Sequence, residues 1–571
     1  MESQSVPFNS DLDRHGDAGF LSCVAGEDVR ILRRTSSLCP ECVSEKNFSA
    51  MVVDAVVYEK DGRVWIAKYC SNHGVTREVY WEDAAMYHFA ERFADAGLKL
   101  HNPHVEAPKA RCPLKCGLCE EHESHTGLAN IVVTNRCNLA CWYCFFYARE
   151  DGYIYEPSLE RIKRMLAVLR KERPVGAEAV QLTGGEPTLR EDLLDIIAAC
   201  REAGFQHVLL NTNGIELSRN LELMKKVKEV GSRGGHIILY MSFDGVTPDT
   251  NPKNYYEVPG VVHNARAAGM SIVLVPTVIR GRNDHELGDI LRFAFAHLDV
   301  VRGVNFQPVS LVGRMPRRER EKQRITIPGV IKAIEEQTSG AIAREDFFPV
   351  PSTTRLTGFM EAIFSTHKYR LSTHFACGMA TYAFRQGNKL VPLTRFFDVE
   401  GFLEFLQELS FEVEHSRFKL AGRGISIIKA LANISRFIDE EKKPPYLDLK
   451  RVLISSLTRG SYAELKELNR NSLFIGMMHF QDAYNYDIAR VKKCCVHYAL
   501  PDLRVVPFCS FNVLPELYRD RVQKRFSTPA GEWEAKTGRR LAEDRYVRNF
   551  SEQQKREIDR FYRDSIARAG F

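Results

Sequence analysis

The sequence predicts an α/β protein in which a partial (β/α)6 barrel lies between an N-terminal metal-binding β-hairpin domain and a mostly helical C-terminal region. Three observations predict this arrangement. Paired cysteines flank a hairpin pattern near the N-terminus, β-rich runs alternate with helical runs from residue 128 to 312, and apolar residues then recur at helical spacing. Because repeated βα units form a parallel sheet with right-handed crossovers, six of them favour a barrel that is open on one side.

The first candidate metal site combines Cys39 and Cys42 with Cys70 and His73. Two β-rich runs, residues 50–58 and 63–69, lie between the two pairs and are joined by an Asp-Gly turn, which is typical of a hairpin. This pattern is typical of a zinc-ribbon or rubredoxin-like site, where each pair gives two ligands to one tetrahedral zinc or iron ion. The spacing leaves open whether His73 or a later cysteine is the fourth ligand.

A second cysteine group has C-x3-C-x2-C spacing and consists of Cys112, Cys116 and Cys119, with His122 and His125 close behind. It indicates either an iron-sulfur cluster with a histidine as fourth ligand or additional ligands for the hairpin site. Both interpretations remain open at the level of sequence. In either case the segment before the barrel is stabilised by metal.

The same spacing recurs at Cys137, Cys141 and Cys144, directly after an apolar strand at residues 131–133. Three thiolates bind three irons of a four-iron cluster and leave the fourth iron open for chemistry. These three cysteines are therefore the candidate catalytic residues. The alternatives are a structural zinc loop and three unrelated buried thiols.

The barrel pattern consists of six strands and the helices between them. The predicted strands are residues 130–133, 179–182, 206–210, 237–241, 271–277 and 303–308, and the predicted helices are residues 158–171, 191–203, 217–230 and 284–297. Active-site groups of such barrels belong at the carboxyl ends of the strands. Candidate ligand-binding residues follow the strands at that end: Gly184, Gly185, Glu186, Pro187, Asn211, Asn213, Ser242, Asp244, Thr277 and Arg280.

The last cysteines, Cys377, Cys494, Cys495 and Cys509, lie far beyond the barrel. Four thiolates are enough for a fully ligated auxiliary four-iron cluster, which transfers electrons or binds a substrate radical. The adjacent pair leaves open that either Cys494 or Cys495 is merely buried. The grouping of the cysteines favours metal ligands over disulfides in a protein expected in the reducing cytosol.

The 571 residues exceed one ordinary domain, and we divide them into four segments. They are a mobile lead (1–29), a cysteine-rich metal-binding domain (30–127), the barrel (128–312) and the helical region with auxiliary cluster ligands (313–571). The formal net charge of +6 is weak for this length, so we expect no nucleic-acid partner.

Residues 1–30 lack the apolar core of a signal peptide, and no run of eighteen apolar residues occurs. We therefore expect a cytoplasmic protein that does not span a membrane. The tail at residues 533–571 is rich in Arg and Glu and predicts a solvated helical end, which leaves peripheral contact with a membrane surface open. A basic run at residues 314–320 is either a phosphate clamp or a solvated face.

The cysteine loop and the strand-end motifs together resemble the radical S-adenosylmethionine (SAM) superfamily. The resemblance implies that the open iron of a 4Fe-4S cluster chelates the amino and carboxylate groups of SAM. It implies that the segment 184–187 receives the methionine amino group, with Glu186 as acceptor. Asn211, Asn213, Ser242 and Asp244 then resemble contacts to the ribose and carboxylate of SAM, and Thr277 faces the same cavity. Arg280 either reaches the carboxylate or is a solvated loop arginine.

Most of the chain further resembles the archaeal tetraether lipid synthase family, some members of which are described as dimethyltransferases of a pterin precursor. The matching segments are residues 70–74, 116–119, 134–139, 396–400 and 494–509. The resemblance implies a rubredoxin-like mononuclear Zn or Fe site, one or two auxiliary 4Fe-4S clusters and an electron donor such as ferredoxin or flavodoxin.

From this resemblance we expect a 5′-deoxyadenosyl radical that activates C–H bonds and joins the alkyl tails of a lipid substrate. The long apolar-periodic region at residues 311–480 favours lipid, because alkyl tails need an apolar channel. The alternative is a radical SAM methyltransferase that acts on a pterin precursor. A further alternative is a non-catalytic iron-sulfur or zinc protein.

Overall fold

The computed structural model describes residues 29–105, 112–144, 152–313, 315, 318–416, 419–459 and 470–571. The predicted mobile lead, except for Val29, lies outside these residues. Among the described helices, none combines the length and apolar character that crossing a bilayer requires. Strands and helices are numbered below in chain order.

The N-terminal domain is a four-stranded antiparallel sheet with strand order β1-β2-β3-β4. Its elements are β1 (Arg30–Leu38), α1 (Pro40–Ser44), β2 (Val52–Lys60), β3 (Arg63–Cys70), β4 (Gly74–Trp81) and α2 (Ala84–Glu91). The predicted hairpin is β2-β3. Asp61 and Gly62 both have positive φ, 51° and 68°, as a tight hairpin turn requires. The outer strands β1 and β4 were not predicted.

The barrel contains all six predicted parallel strands, each displaced by at most a few residues. Its elements are β5 (Leu128–Thr134), β6 (Tyr153–Ile154), α3 (Leu159–Arg170), β7 (Ala179–Gly184), α4 (Leu193–Glu202), β8 (His207–Thr212), α5 (Ile215–Arg219), α6 (Leu221–Gly231), β9 (His236–Ser242), α7 (Val258–Ala268), β10 (Ser271–Val275), β11 (Thr277–Val278), α8 (Leu287–Ala296) and β12 (Val301–Pro308). The helix α7 was not predicted.

The C-terminal region is mostly helical, as predicted, and also contributes strands to the barrel sheet. Its elements are α9 (Arg320–Gln323), α10 (Ile327–Gln337), β13 (Phe348–Pro349), α11 (Thr353–Phe364), β14 (Gly378–Gln386), β15 (Lys389–Pro392), α12 (Val399–His415), α13 (Lys419–Asn433), α14 (Leu449–Arg459), β16 (Ser472–Met478), α15 (Ile488–Lys492), β17 (Val496–Ala499), β18 (Val505–Pro507), α16 (Phe508–Val513), α17 (Arg519–Arg525), β19 (Thr528–Pro529), α18 (Ala530–Thr537) and α19 (Glu552–Ala567).

The sheet has the order β13-β14-β16-β12-β10-β9-β8-β7-β5-β17-β18, so C-terminal strands extend the six-stranded barrel at both edges. β16 pairs in parallel with β12, and β17 pairs in parallel with β5. Unpaired sheet edges expose backbone donors and acceptors, and these added strands satisfy them at both sides of the barrel.

The two faces of the barrel strands differ in burial. On β8 and β9, Leu210 and Leu239 are fully buried under the helices, whereas Asn211 and Tyr240 on the opposite face are half-buried. Because neighbouring side chains of a strand point to opposite faces, the half-buried residues line an open interior. The predicted site residues lie at the carboxyl ends of the strands that surround this interior.

The apolar-periodic residues of the region 311–480 form a core of their own. Helices α11, α12 and α13 pack together around phenylalanines that are almost fully buried. This packing explains the helical periodicity by ordinary core formation. The residues concerned are Phe359, Phe384, Phe396, Phe402, Leu406 and Ile434.

The N-terminal domain is joined to the C-terminal region by buried charges. Asp487, at the start of α15, is fully buried and pairs with Arg33 of β1. It also accepts hydrogen bonds from Thr35 Oγ1 at 2.7 Å and from Tyr80 Oη at 2.8 Å. Burial alone would raise the pKa of Asp487, but Arg33 holds it well below its usual range.

We expect Asp487→Asn to destabilise the protein by about 3 kcal/mol, because it leaves the Arg33 guanidinium without its charge partner. The free energy of unfolding from chemical denaturation measures this loss. The control is Asp439→Asn, which makes the same change at a solvent-exposed ion pair with Lys442 and should have little effect. Equal stability of the two variants would contradict a structural role for Asp487.

Candidate functional site

The hairpin domain brings four ligand atoms together at one point. The Nδ1 atom of His73 lies 3.5 Å from Cys39 Sγ, 3.5 Å from Cys42 Sγ and 3.6 Å from Cys70 Sγ, and Cys42 Sγ lies 3.7 Å from Cys70 Sγ. Tetrahedral zinc with its usual bond lengths separates two sulfurs by about 3.8 Å and sulfur from nitrogen by about 3.5 Å. The geometry therefore fits one tetrahedral ion and identifies His73 as the fourth ligand.

The residues around this site favour metal binding. Glu45 Oε1 lies 3.3 Å from His73 Nε2, so it can accept the Nε2 proton and leave Nδ1 free for a metal. Burial raises the pKa of the Cys39 thiol to about 12. Burial would also raise the pKa of Cys70, but hydrogen bonds involving the Asn72 backbone and His73 lower it to about 7.

The catalytic candidates Cys137, Cys141 and Cys144 lie in the cluster loop, residues 134–144, at the carboxyl end of β5. All three are partly exposed. Burial raises the pKa of Cys141 to about 11 and that of Cys137 further. The thiols of Cys137 and Cys141 therefore stay protonated at neutral pH until a metal replaces their protons.

The glycines after β7 let this segment lie directly against the cluster loop. A side chain on Gly184 would collide with the carbonyl oxygen of Thr134, and one on Gly185 with the carbonyl oxygen of Arg136. The backbone N–H of Gly185 donates to Thr134 O at 2.9 Å, and that of Glu186 donates to Arg136 O at 2.8 Å. Both glycines are thus required for the close approach.

Glu186 is fully buried and hydrogen-bonded to protein groups. Its carboxylate accepts from Thr188 Oγ1 at 2.7 Å, Thr212 Oγ1 at 2.7 Å and the Asn213 backbone N–H at 2.7 Å. Burial raises the pKa of Glu186, and these donors oppose the shift. The carboxylate joins the ends of β7 and β8, and its contact with the SAM amino group stays a prediction.

The other strand-end residues converge on the same loop. Asn213 Nδ2 donates to Asn138 Oδ1 at 2.7 Å, which ties the end of β8 to the cluster loop. Asn211 Nδ2 donates to Thr183 Oγ1 at 3.0 Å on the neighbouring strand. The Nδ2 group of Asn138 is buried without a hydrogen-bond partner, so it remains available to a ligand held by the loop.

Asp244, after β9, is the centre of a charged group that the sequence did not predict. It accepts hydrogen bonds from the Thr277 backbone N–H at 2.9 Å and from the Tyr143 hydroxyl of the cluster loop. Lys253 Nζ lies 2.9 Å from Asp244 Oδ2 and 4.9 Å from the centre of the Tyr143 ring. Burial would lower the pKa of Lys253, but Asp244 keeps it above its usual value. Lys253 follows no recognisable motif, so nothing in the sequence identified it.

Ser242 lies at the end of β9, and its carbonyl accepts from Asn254 Nδ2 at 2.7 Å. Asn254 Nδ2 also donates to the carbonyl of Asn213 at 2.7 Å, so it connects the ends of β8 and β9. Pro187 follows Glu186 at the first position of a short 3-10 helix. The structure therefore places every predicted strand-end residue except Arg280 around the cluster loop.

Arg280 lies elsewhere. It pairs with Glu82, beside the hairpin domain, and its Nε donates to the Arg324 carbonyl at 2.8 Å. In the basic run at 314–320, residues 314, 316 and 317 lie outside the described residues, and Arg320 lies 3.3 Å from Glu78. Arg280 and Arg320 thus form ion pairs with other side chains of the protein and are not placed to bind a ligand.

The C-terminal residues 528–548, which we call the strap, hold the cluster loop from its outer side. Arg136 Nη1 donates to both carboxylate oxygens of Asp544 at 3.0 Å, and its guanidinium lies 4.7 Å from the centre of the Trp533 ring. The Tyr546 backbone N–H donates to Asn138 O at 3.1 Å. At the far end of the loop, β19 pairs with β6.

The structure confirms the predicted helical end as α19, most of whose side chains are exposed, and adds buried anchors that the sequence did not predict. Trp533 is 8% exposed and Tyr562 of α19 is 2% exposed. The ring of Tyr562 stacks on Tyr255 with centroids 4.3 Å apart. A polar cavity of about 490 Å³ separates the strap from the segment that follows β7, and Arg219 and Arg539 are among its lining residues.

Cys116, Cys494, Cys495 and Cys509 are buried in one apolar cluster beside the barrel, and Cys112 packs against it. Cys116 Sγ lies 3.6 Å from Ser510 Oγ, one residue from Cys509. Arg490 Nε donates to Cys377 Sγ at 3.4 Å, and the Gln481 backbone N–H donates to Cys509 Sγ at 3.4 Å. Cys112, Cys119, Cys494 and Cys495 belong to the same neighbourhood, and burial raises the pKa of Cys494 and Cys495.

The structure changes the interpretation of the two histidines behind Cys119. His122 Nε2 lies 2.8 Å from the carbonyl of Cys494 and 3.1 Å from His497 Nε2. His125 Nε2 accepts from the Arg370 backbone N–H at 3.0 Å. These nitrogens are used in protein contacts, and assignment of the auxiliary cluster ligands stays a prediction.

A parallel barrel with a three-cysteine loop and glycine, carboxylate and amide groups at the strand ends defines a radical SAM enzyme. The family model described as the Radical SAM superfamily matches residues 131–294, and the HMPTM N-terminal zinc ribbon domain matches residues 31–82. The cofactors are therefore a 4Fe-4S cluster and SAM, with a metal site in the hairpin domain.

The chain is 43% identical over 512 residues to the 7,8-dihydro-6-hydroxymethylpterin dimethyltransferase of Methanocaldococcus jannaschii. The match covers 88% of this chain and 97% of the relative, so the chain belongs to the family of that enzyme. It is also 33% identical over 193 residues to the GTP 3′,8-cyclase of Aquifex aeolicus, over 32% of this chain and 57% of the relative.

Among solved structures, the radical S-adenosylmethionine methyltransferase TsrM of Kitasatospora setae matches 42% of this chain and 45% of its own, with 15% identity and a TM-score of 0.24. A likeness this low carries no argument. The radical SAM prediction is confirmed by the family match, whereas the prediction of lipid-tail joining is wrong. The relative that spans the chain is named for a pterin, and the apolar helices that suggested a lipid channel pack on one another.

We expect Cys70→Ser to remove about one metal ion per chain, since tetrahedral zinc or iron loses a thiolate ligand. Elemental analysis for zinc and iron measures this loss, with Cys200→Ser as a control because Cys200 is buried in α4 away from the other cysteines. The affinity for the ion should also fall as the pH is lowered, because protons then compete with the metal for the thiolates. Retention of the ion in Cys70→Ser would contradict this site.

We expect Asp544→Asn to loosen the cluster loop, because it leaves the Arg136 guanidinium, 2% exposed, without its bidentate partner. Loss of one partner of a buried pair costs about 3 kcal/mol. Iron content and the electron paramagnetic resonance (EPR) signal of the reduced cluster measure the effect. Glu543→Gln, an exposed neighbour with the same charge change, is the control. A wild-type iron content and spectrum in Asp544→Asn would contradict a supporting role for the strap.

Proposed function

We propose that this chain is a radical SAM methyltransferase whose substrate is a dihydropterin with a hydroxymethyl group. The observation that carries the proposal is the match to the M. jannaschii dimethyltransferase along 97% of that enzyme. The match extends through the hairpin domain, the barrel and most of the C-terminal region. The similarity to GTP 3′,8-cyclases, in contrast, covers about a third of the chain.

The interior of the barrel supports a compact polar substrate. Asn211, Tyr240, Thr277, Asn305 and Gln307 are half-buried and come from four strands around the open face. A pterin ring carries several hydrogen-bond donors and acceptors, which need polar partners when the ring leaves water. An alkyl tail would leave these polar side chains without hydrogen-bond partners.

Tyr240 and Asn305 illustrate how this interior can bind such a ring. Asn305 Nδ2 donates to the Tyr240 hydroxyl oxygen at 2.9 Å. Burial raises the pKa of Tyr240 to about 12, so its hydroxyl is neutral and retains its hydrogen at pH 7. The hydroxyl can then donate to an acceptor atom of the substrate, while the Asn305 carbonyl oxygen can accept from a ring N–H.

When bound, the 4Fe-4S cluster and SAM supply one-electron cleavage of SAM and a radical that removes hydrogen. The protein chain supplies the groups that bind and orient the cluster, SAM and the substrate. Cys137, Cys141 and Cys144 hold the cluster, the strand-end groups orient SAM, and the barrel walls exclude water from the reactive centre. Lys253 places a positive charge beside Cys141 and offsets part of the negative charge that thiolate ligation introduces.

The proposal is tested by incubating the anaerobically reconstituted protein with dithionite, 7,8-dihydro-6-hydroxymethylpterin and excess SAM, of which one molecule supplies the 5′-deoxyadenosyl radical and a second one the methyl group. We expect a methylated pterin by mass spectrometry and 5′-deoxyadenosine in the same samples. Cys144→Ala should abolish both products, because the cluster loses a ligand. Cys200→Ala is the matched control and should retain them. A wild-type protein that cleaves SAM and leaves the pterin unchanged would contradict the substrate assignment.

We expect Asn305→Leu to weaken binding of the dihydropterin about tenfold or more, because loss of a buried hydrogen-bond partner costs about 1–3 kcal/mol. The dissociation constant can be measured by pterin fluorescence, and SAM binding should change little. Ile238→Val, on the same face of β9, is the control for altered volume. Unchanged pterin affinity in Asn305→Leu would place the substrate elsewhere in the barrel.

A further inference from the structure

The outer face of the strap is basic. Its residues 528–548 contain five Lys or Arg side chains and four acidic ones. One of the acidic residues, Asp544, is 5% exposed and neutralised by Arg136. Lys536, Arg540 and Arg545 are exposed, and no carboxylate of the described residues lies within 4 Å of their charged groups. The strap is therefore more positive than the chain as a whole, which carries +6 over 571 residues.

This basic face lies over the cluster loop. The Tyr546 backbone N–H bonds to the carbonyl of Asn138, the residue that follows Cys137. Asp544 holds Arg136, the residue that precedes it. One strap thus contacts the catalytic loop with its inner side and presents Arg540 and Arg545 to solvent with its outer side.

An apolar side chain accompanies these cations. Val547, between Tyr546 and Arg548, is 73% exposed, the highest value among the exposed large apolar residues of the described chain. An exposed apolar residue surrounded by charged ones is the usual composition of a transient protein interface, with an apolar centre and a polar rim.

We propose that the outer face of the strap is the docking surface for a small acidic electron-donor protein, of the flavodoxin or ferredoxin class. Radical SAM chemistry consumes an electron that must come from outside the chain. In the transfer one electron leaves the donor's reduced flavin or iron-sulfur centre and the cluster is reduced by one electron, with no proton transferred and no bond formed. Opposite charges on the two surfaces raise the rate of encounter and orient the donor above the loop.

The experiment uses the reconstituted full-length enzyme and the variant Lys536→Glu, Arg540→Glu, Arg545→Glu. Reduction of the cluster is followed by stopped-flow absorbance and EPR, once with reduced flavodoxin and once with dithionite. We expect flavodoxin-driven reduction to fall at least tenfold and dithionite-driven reduction to be unchanged, because a small reductant does not need the docking surface. Added salt should slow the wild-type reaction with flavodoxin and have little effect on the variant.

The control variant is Lys225→Glu, Lys226→Glu, Lys332→Glu, which makes the same charge change on the exposed sides of α6 and α10. It should reduce at the wild-type rate with both reductants. An equal loss with flavodoxin and dithionite would overturn the proposal, because the strap residues then act on the cluster itself. A wild-type flavodoxin rate in the strap variant would also overturn it, and loss of binding to anionic vesicles in that case would assign the surface to a membrane.

These measurements require no pterin. The inference rests on the radical SAM class of the enzyme and not on the substrate proposed above. A protein that fails to methylate the dihydropterin can still show the expected difference between the two reductants. The two proposals therefore fail independently.

Discussion

The buried guanidinium of Arg136 is the interaction on which the catalytic loop depends. Its three nitrogens donate to three separate parts of the chain, which are Glu156 after β6, Asp544 of the strap and the carbonyl of Leu189 after β7. The face of the guanidinium lies on the ring of Trp533, which also belongs to the strap. Arginine can do this because it has five donors in a fixed plane and stays charged when buried. The residue next to it is Cys137, the first of the three candidate ligands, so the contacts of Arg136 also position this cysteine.

Several separate contacts join the cluster loop to the strand ends. The thiols of Cys137 and Cys141 have raised pKa values because they are largely shielded from water, so without metal the loop gains no ion pairing from these two thiols. Its shape must then come from other groups. Gly184 and Gly185 permit the close approach of β7, Asn213 and Asn138 join β8 to the loop, and Tyr143 reaches Asp244 after β9. A loop held in this way needs little rearrangement when it binds a cluster.

The sequence predicted those features whose residues lie close together in the chain. The hairpin, the pairs Cys39-Cys42 and Cys70-His73, the cluster loop and the strand-end motifs each depend on short spacings. Lys253, Asp487 and Asp544 were missed, because each acts through a partner that lies elsewhere in the sequence and no periodicity records such a pairing. The lipid prediction failed for a related reason: helical periodicity identifies an apolar face but not what covers it, and Phe402 and Leu406 are covered by neighbouring helices.

The pairing of distant charges also connects the metal-binding domain to the catalytic one. Asp487 binds Arg33 of the hairpin domain and begins α15, which ends two residues before Cys494. Buried Arg490 of the same helix donates to Cys377. Displacement of the hairpin sheet would therefore act on α15 and, through it, on the cysteines of the C-terminal region. Because charged groups tolerate little misplacement when they are buried, these pairs specify one relative position of the domains more strictly than apolar contacts would. The hairpin domain is thus a structural support for the cysteine-rich side of the barrel as well as a metal site.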